Sequence, residues 1–262
     1  TETAEEICLE LNRHIGENVP RNLTLVNTEK ILADLSVGRC VDARYAYKAK
    51  SPYTLPFYNA YAAHIAPAFL AILGKMKKAL ILDCDNTLWK GTLGEDGLEG
   101  IEMSGDTPDG SVFKTAQNLI LDLHNQGVVL GLCTKNEARD IREVLSTHPD
   151  MQLKMDHIAT YRANWSDKAS NLIEIAHELN IGLDSIVYVD DSSFEINYIT
   201  DALPAVTVLQ VPENIFRYPQ LLRDNLDLFF SPALTEEDRH RGARYKSVSM
   251  RRAEEKRHSS ID

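Results

Sequence analysis

The run Ala79-Leu80-Ile81-Leu82 constrains this chain most, because four successive apolar residues break off at Asp83-Cys84-Asp85. Such a run fits a strand buried on both faces, and open parallel sheets bind ligands beyond the carboxyl ends of their strands. Asp83 and Asp85 lie two residues apart and point to one side, whereas strand alternation turns Cys84 to the other. A carboxylate pair can divide labour: one attacks phosphorus, the other carries a proton, and a hard cation such as Mg2+ relieves their repulsion. Taken alone, an Asp-x-Asp at a strand end is equally good turn chemistry. Its partners have to come from elsewhere in the chain.

They come in order. A second apolar run, 128–133, ends in Thr134-Lys135-Asn136, a hydroxyl, an ammonium and an amide; Thr134 can donate to a phosphoryl oxygen. Ser166 or Asp167 caps a helix that places Lys168 in its first turn, where a cation opposes the helix dipole and calls for an anionic partner. A third run, 185–189, ends in Asp190-Asp191 and makes Asp190 the candidate third metal ligand. The apolar runs predict strands at 79–83, 128–133, 156–160, 185–190 and 205–211. Helical stretches at 112–125, 137–145, 166–180 and 194–203 alternate with them. That alternation predicts an α/β fold with a three-layered parallel sheet.

The four stations resemble the motifs of the haloacid dehalogenase superfamily of aspartate-nucleophile phosphatases. The resemblance implies Asp83 as nucleophile and Mg2+ ligand, Asp85 as general acid/base and ligand through its carbonyl, Thr134 and Lys168 as phosphate contacts, and Asp190 as Mg2+ ligand. Asn86 and Thr87 are candidate substrate contacts beside them. Asp83-Cys-Asp-Asn-Thr-Leu-Trp89, Lys90-Gly-Thr-Leu-Gly94, Cys133-Thr-Lys-Asn136, Arg162-Ala-Asn-Trp165 and Leu179-Asn-Ile-Gly-Leu-Asp184 further resemble the FkbH-like glyceryl transferase/phosphatases of polyketide biosynthesis. The likeness runs over residues 24 to 250 or so and includes Asp42-Ala-Arg44 and Lys48-Ala-Lys-Ser-Pro-Tyr53. It departs at Lys90, where a second Gly is expected, and at Ser192-Ser193, where Asn-Pro is expected.

That resemblance implies a glyceryl unit taken from 1,3-bisphosphoglycerate as an enzyme thioester, dephosphorylated, and passed to the phosphopantetheine thiol of an acyl carrier protein. Cys84 is then the acyl carrier, since a thiolate attacks an acyl phosphate readily; the alternative is a core-packing cysteine in a plain Mg2+-dependent phosphatase. A catalytically idle binding module is a third reading, disfavoured by the retained carboxylates. Lys135, Asn136, Arg162 and Asn164 are candidates for the glycerate hydroxyl or its phosphate, and His64 for the base that activates the thiol. Each is equally able to hold a loop or a core together.

Around the core, 78–230, residues 1–77 read as a helical N-terminal extension, with helical spacing at Ala4-Ile7-Cys8-Leu11 and from 57 to 73. Arg44 and Lys48 in it are candidate contacts for an anionic substrate. Residues 91–110, rich in Gly, Asp and Thr, read as a small β-hairpin flap. The segment 231–262 reads as basic and helical: residues 239–258 carry a charge of +6, which leaves −17 on the rest of a chain of net charge −11. It is a candidate docking surface for an acidic carrier protein, or simply a solvated terminal helix. The acidic balance disfavours nucleic acid, and no apolar run reaches membrane-spanning length. The four cysteines show no Cys-x-x-Cys spacing, which argues for a reduced, cytoplasmic protein, with a Cys8–Cys40 disulfide compatible with the spacing. The start without Met, with the motif some eighty residues in, suggests a piece of a larger polyketide synthase chain.

Overall fold

A computed structural model describes residues 3–20, 23 and 25–230; the basic 231–262 segment lies outside them. The chain divides into two compact units, Thr1–Gly74 and Lys75–Asp262.

The first unit is helical: α1 (Ala4–Glu17), α2 (Thr28–Leu35), α3 (Val37–Cys40), α4 (Ala43–Ala49) and α5 (Leu55–Ile72). Local chemistry sets its ends. Thr3 and Glu6 form a reciprocal capping box on α1, and Thr54 accepts from Phe57 N at the start of α5, followed by Pro56 in the first turn. The unit's core is small, built on Ile31, Cys40 and Phe57, with Tyr53 stacked on Phe57 at 4.0 Å. Arg44 of α4 is bound at 2.6 Å to Asp42, the residue that caps that helix, and His64 sits half-buried in α5. Cys8 and Cys40 are free thiols. Among the described residues no helix is long and apolar enough to cross a membrane.

The second unit is built on a five-stranded, wholly parallel sheet of order β3-β2-β1-β4-β5. Its strands are β1 (Ala79–Leu82), β2 (Val129–Thr134), β3 (Ile158–Ala163), β4 (Ile186–Asp190) and β5 (Thr207–Gln210). Each of the three central strands is buried at every position, as their unbroken apolar runs require. Leu80 and Leu82 face a layer formed by α7 (Pro108–Asn125), α8 (Ala138–Thr147) and α11 (Tyr218–Asp224). Ala79 and Ile81 face α9 (Lys168–Leu179) and α10 (Ser193–Ala202). At Gly131 in β2, an added Cβ would stand 2.7 Å from Ile81 Cδ1 and 3.2 Å from Thr160 O, so close strand packing demands glycine there.

Strand β1 lies between β2 and β4, and the chain reverses its direction of winding there. Leu82 registers with Leu132 on one side and Val189 on the other, which sets Asp83 level with Asp190, and Thr134 one residue further along β2, at the sheet's carboxyl edge. Such a switch point is the crevice where open α/β sheets hold ligands.

The hairpin flap expected at 91–110 is corrected by the structure. One antiparallel bridge, Lys90 with Glu102, replaces a ladder, and between them runs α6 (Leu93–Gly100), broken at Gly97 with φ +71°. Two carboxylates set the helix start: Asp96 Oδ2 accepts from Thr92 N at 2.7 Å and Asp85 Oδ1 accepts from Leu93 N at 3.0 Å. Carboxylates that satisfy the first amides of a turn favour a helix start over strand pairing.

Candidate active site

Asp83 follows the last residue of β1 and is 6% exposed. Its amide donates to Val189 O, and its carboxylate faces Lys168 Nζ at 3.3 Å. Oδ1 of Asp83 is sealed from solvent and accepts no well-formed hydrogen bond. Burial pushes this carboxyl up to about 7, against the opposing pull of Lys168, and the nearby Asp190 charge adds to the rise.

Lys168 is the first residue of α9, whose cap is Asp167, accepting from Ser170 N at 2.9 Å. Its ammonium donates to Asp190 Oδ2 at 2.6 Å. Burial works against this charge, but Asp83 and Asp190 outweigh it and hold the ammonium above its ordinary range. Asp190 is wholly buried and accepts two more hydrogen bonds: the Tyr188 hydroxyl also donates to Oδ2, and Ser192 N donates to Oδ1 at 2.8 Å. Tyr188 is a participant that sequence reasoning missed; its place two residues before Asp190, on the same side of β4, was the available signal.

Asp85 sits in a different setting. Its Oδ1 accepts from Trp89 Nε1 and Leu93 N, each at 3.0 Å, and its Oδ2 from Asn136 Nδ2 at 2.9 Å. Asn136 Nδ2 also donates to Thr134 Oγ1 at 3.0 Å, so the loops after β1 and β2 share one polar network. Lys135 turns to Glu195 of α10, at 2.6 Å. Asn86, at φ +51°, accepts from Gly91 N and braces the turn. Thr87 is wholly buried with its hydroxyl unpartnered. Arg162, named from sequence as a substrate contact, is held instead by Glu174 and Glu178 of α9. Asn164 pairs with Asn171.

Asp83, Asp190 and Asp191 each offer a carboxylate oxygen, and these lie within 4.8 Å of one another. Burial and the neighbouring Asp190 push the Asp191 carboxyl up as well. Three clustered acids, two of them buried, fit a hard divalent cation. Asp191 was not assigned from sequence as a ligand, although the acid pair was visible. Asp85 lies outside this carboxylate cluster, which leaves its backbone carbonyl as the ligand named from sequence.

Cys84 points to the opposite face of the sheet, as strand alternation requires. It is fully buried among Leu82, Leu88, Trp89 and their neighbours. Burial, and then the Asp83 charge, push its thiol well above the usual range. Cys133 is likewise core, its thiol pushed up to about 12 by burial.

No protein-family profile and no curated protein matches the chain. Among solved structures it is similar to the N-terminal part of BF1531 from Bacteroides fragilis, which contains a phosphatase domain and is complexed with Mg. Identity is 33% and the TM-score 0.74, over 87% of this chain and 60% of that one. The fold is that of a haloacid dehalogenase core. This chain thus spans about 60% of the length of that structure. Two other matches are much weaker. An uncharacterized protein from Corynebacterium glutamicum has a TM-score of 0.38 and 15% identity, over 58% of this chain and 94% of that one. The cobalt-bound deoxy-D-mannose-octulosonate 8-phosphate phosphatase YrbI from Haemophilus influenzae has a TM-score of 0.36 and 12% identity, over 57% and 89%.

Proposed function

We propose that this chain is a Mg2+-dependent phosphatase of the haloacid dehalogenase type that works through an aspartyl-phosphate on Asp83. The observation that carries this reading is the buried Asp83 carboxylate, ion-paired with Lys168 at 3.3 Å and clustered with the acids Asp190 and Asp191. The Mg2+ bound by the similar Bacteroides domain supports the choice of cation. Asp83, Asp190 and Asp191, with the carbonyl of Asp85, would hold it. When bound, Mg2+ supplies charge neutralisation that lets a carboxylate and a phosphoryl group approach.

Each residue then has a task. Lys168 and the Thr134 hydroxyl, which stands beside Asp83, contact the phosphoryl oxygens. An Asp83 oxygen forms a bond to phosphorus as the bond to the leaving oxygen breaks, and Asp85 supplies that oxygen with a proton. Water then attacks the phosphoaspartate, Asp85 takes its proton, and inorganic phosphate leaves. Trp89, Leu93 N and Asn136 hold Asp85 in position for both transfers. Phosphate release from small esters should require Mg2+, cease on chelation, and fall at least about a thousandfold in Asp83→Asn. Undiminished turnover in that variant would reject the mechanism.

The resemblance in sequence extends this reading to glyceryl transfer from 1,3-bisphosphoglycerate through a Cys84 thioester to an acyl carrier protein. In that extended cycle the dephosphorylation step is the one above, and Cys84 captures the acyl group only after its thiol is uncovered from the apolar layer. The plain phosphatase needs no such rearrangement, and the burial of Cys84 favours it. Intact-mass measurement after incubation with 1,3-bisphosphoglycerate separates the two: an adduct of glyceryl or phosphoglyceryl mass, absent in Cys84→Ala, carries the transfer, and an unmodified chain leaves the phosphatase alone.

A further inference from the structure

An ion pair at the rim of the phosphoryl pocket has no task in the hydrolysis just described. Lys135 Nζ lies 2.6 Å from Glu195 Oε1 and joins the loop after β2 to the first turn of α10. Its partners are unequally placed. The Glu195 side chain is 8% exposed and that of Lys135 40% exposed, so the carboxylate belongs to the wall while the ammonium keeps a solvent-facing side. Along the chain Lys135 directly follows Thr134, and Glu195 lies on the helix that begins just after Asp190-Asp191. The pair therefore stands beside Thr134, a phosphoryl contact, and beside the loop of the acids that would hold the cation.

The charge around it decides what it can do. Inside the site, Asp83 and Asp190 face Lys168, the one buried lysine or arginine among the described residues, and Asp85 and Asp191 add further acidic groups beside them. Even with a divalent cation bound, a phosphoryl dianion leaves this pocket with no positive charge for a second anionic group. Lys135, next to Thr134 in the chain, is a group that would provide one, and a carboxylate at 2.6 Å already cancels it. Specificity arises as readily from an unfavourable contact with the wrong ligand as from a good contact with the right one.

We infer that Glu195 is a specificity-determining residue: by neutralising Lys135, it restricts the site to phosphate monoesters with an uncharged leaving group and disfavours those whose leaving group bears a carboxylate or a second phosphate. This inference rests on the phosphatase reading and names the substrate class for it. Glu195 acts through Lys135 and does not itself touch the reacting atoms.

Two esters test it: glycerol 3-phosphate and 3-phosphoglycerate, which differ by a carboxylate in place of a hydroxymethyl group. Their kcat/KM values are measured on the full chain with Mg2+. Wild type should favour glycerol 3-phosphate by about tenfold or more. Glu195→Gln, which keeps shape and removes charge, should narrow that ratio about tenfold, through a lower KM for phosphoglycerate. Adding Lys135→Met to it should restore the wild-type ratio. A merely structural Glu195 would lower both substrates together and leave the ratio unmoved, which overturns the inference. So does a wild-type preference for 3-phosphoglycerate, a result that needs no variant to fold. Absence of Mg2+-dependent turnover of either ester would instead remove the phosphatase reading, and the inference with it.

Discussion

Asp83 concentrates the physical chemistry of this molecule in one side chain. A carboxylate taken out of water resists ionisation, and the Lys168 ammonium only partly compensates, which is why its carboxyl rises to about 7 from an ordinary value of 3.8. The folded state therefore holds a proton that the unfolded chain has already released, and stability falls as pH rises between about 4 and about 7. A cation that binds only the ionised, folded form reverses the trend by mass action. Thermal melts should show a metal-free protein that is more stable at pH 5 than at pH 8, and Mg2+ should raise Tm more at pH 8 than at pH 5. Equal Mg2+ shifts at both values would contradict the assignment. Asp190 and Asp191 show where residue-level reading reaches its end: the acid pair is visible in sequence, but its division of labour is not. Lys168 of α9, Tyr188 of the same strand and Ser192 N converge on Asp190, while Asp191 joins it in the carboxylate cluster, a fact of tertiary placement.

At the level of elements, glycine in the middle of β2 marks how tightly the sheet carries the site. Gly131→Ala would drive a methyl group to 2.7 Å from Ile81 Cδ1 and should cost about 1–3 kcal/mol in denaturant unfolding. Trimming the neighbour in Gly131→Ala/Ile81→Val should recover part of that loss, and failure to recover any would place the strain elsewhere. The sheet was legible because its central strands are buried on both faces and so write themselves as apolar runs; β1, β2 and β4 lie within a residue or so of expectation. Strand β3 begins later than expected, at Ile158, because Met155–His157 form a 3-10 turn first. Residues 91–110 depart from a hairpin because their helix start is tied to Asp85, eight residues away. Short helices such as α3 and α4 and the late α11 are too brief to declare a period.

For the molecule as a whole, the two units differ sharply in what holds them together. The second has two extensive apolar layers on either side of its sheet, whereas the first has three buried side chains among its described residues. A helical unit of that size with so small a core is marginal by itself. Expressed separately, residues 75–262 should melt cooperatively by circular dichroism and residues 1–74 should not; a cooperative melt of the short piece alone would overturn this ranking. Because the candidate site residues Asp83, Asp85, Thr134, Lys168, Asp190 and Asp191 all belong to the second unit, the proposed phosphatase chemistry rests on that unit's own fold. The most direct test of that chemistry is to mix the protein with Mg2+ and a phosphate ester, quench in acid during turnover, and locate the phosphoryl group by peptide mass. The account predicts one phosphoryl adduct on Asp83 that disappears in Asp83→Asn. An adduct on any other residue, or turnover with no adduct and an active Asp83→Asn, would contradict it.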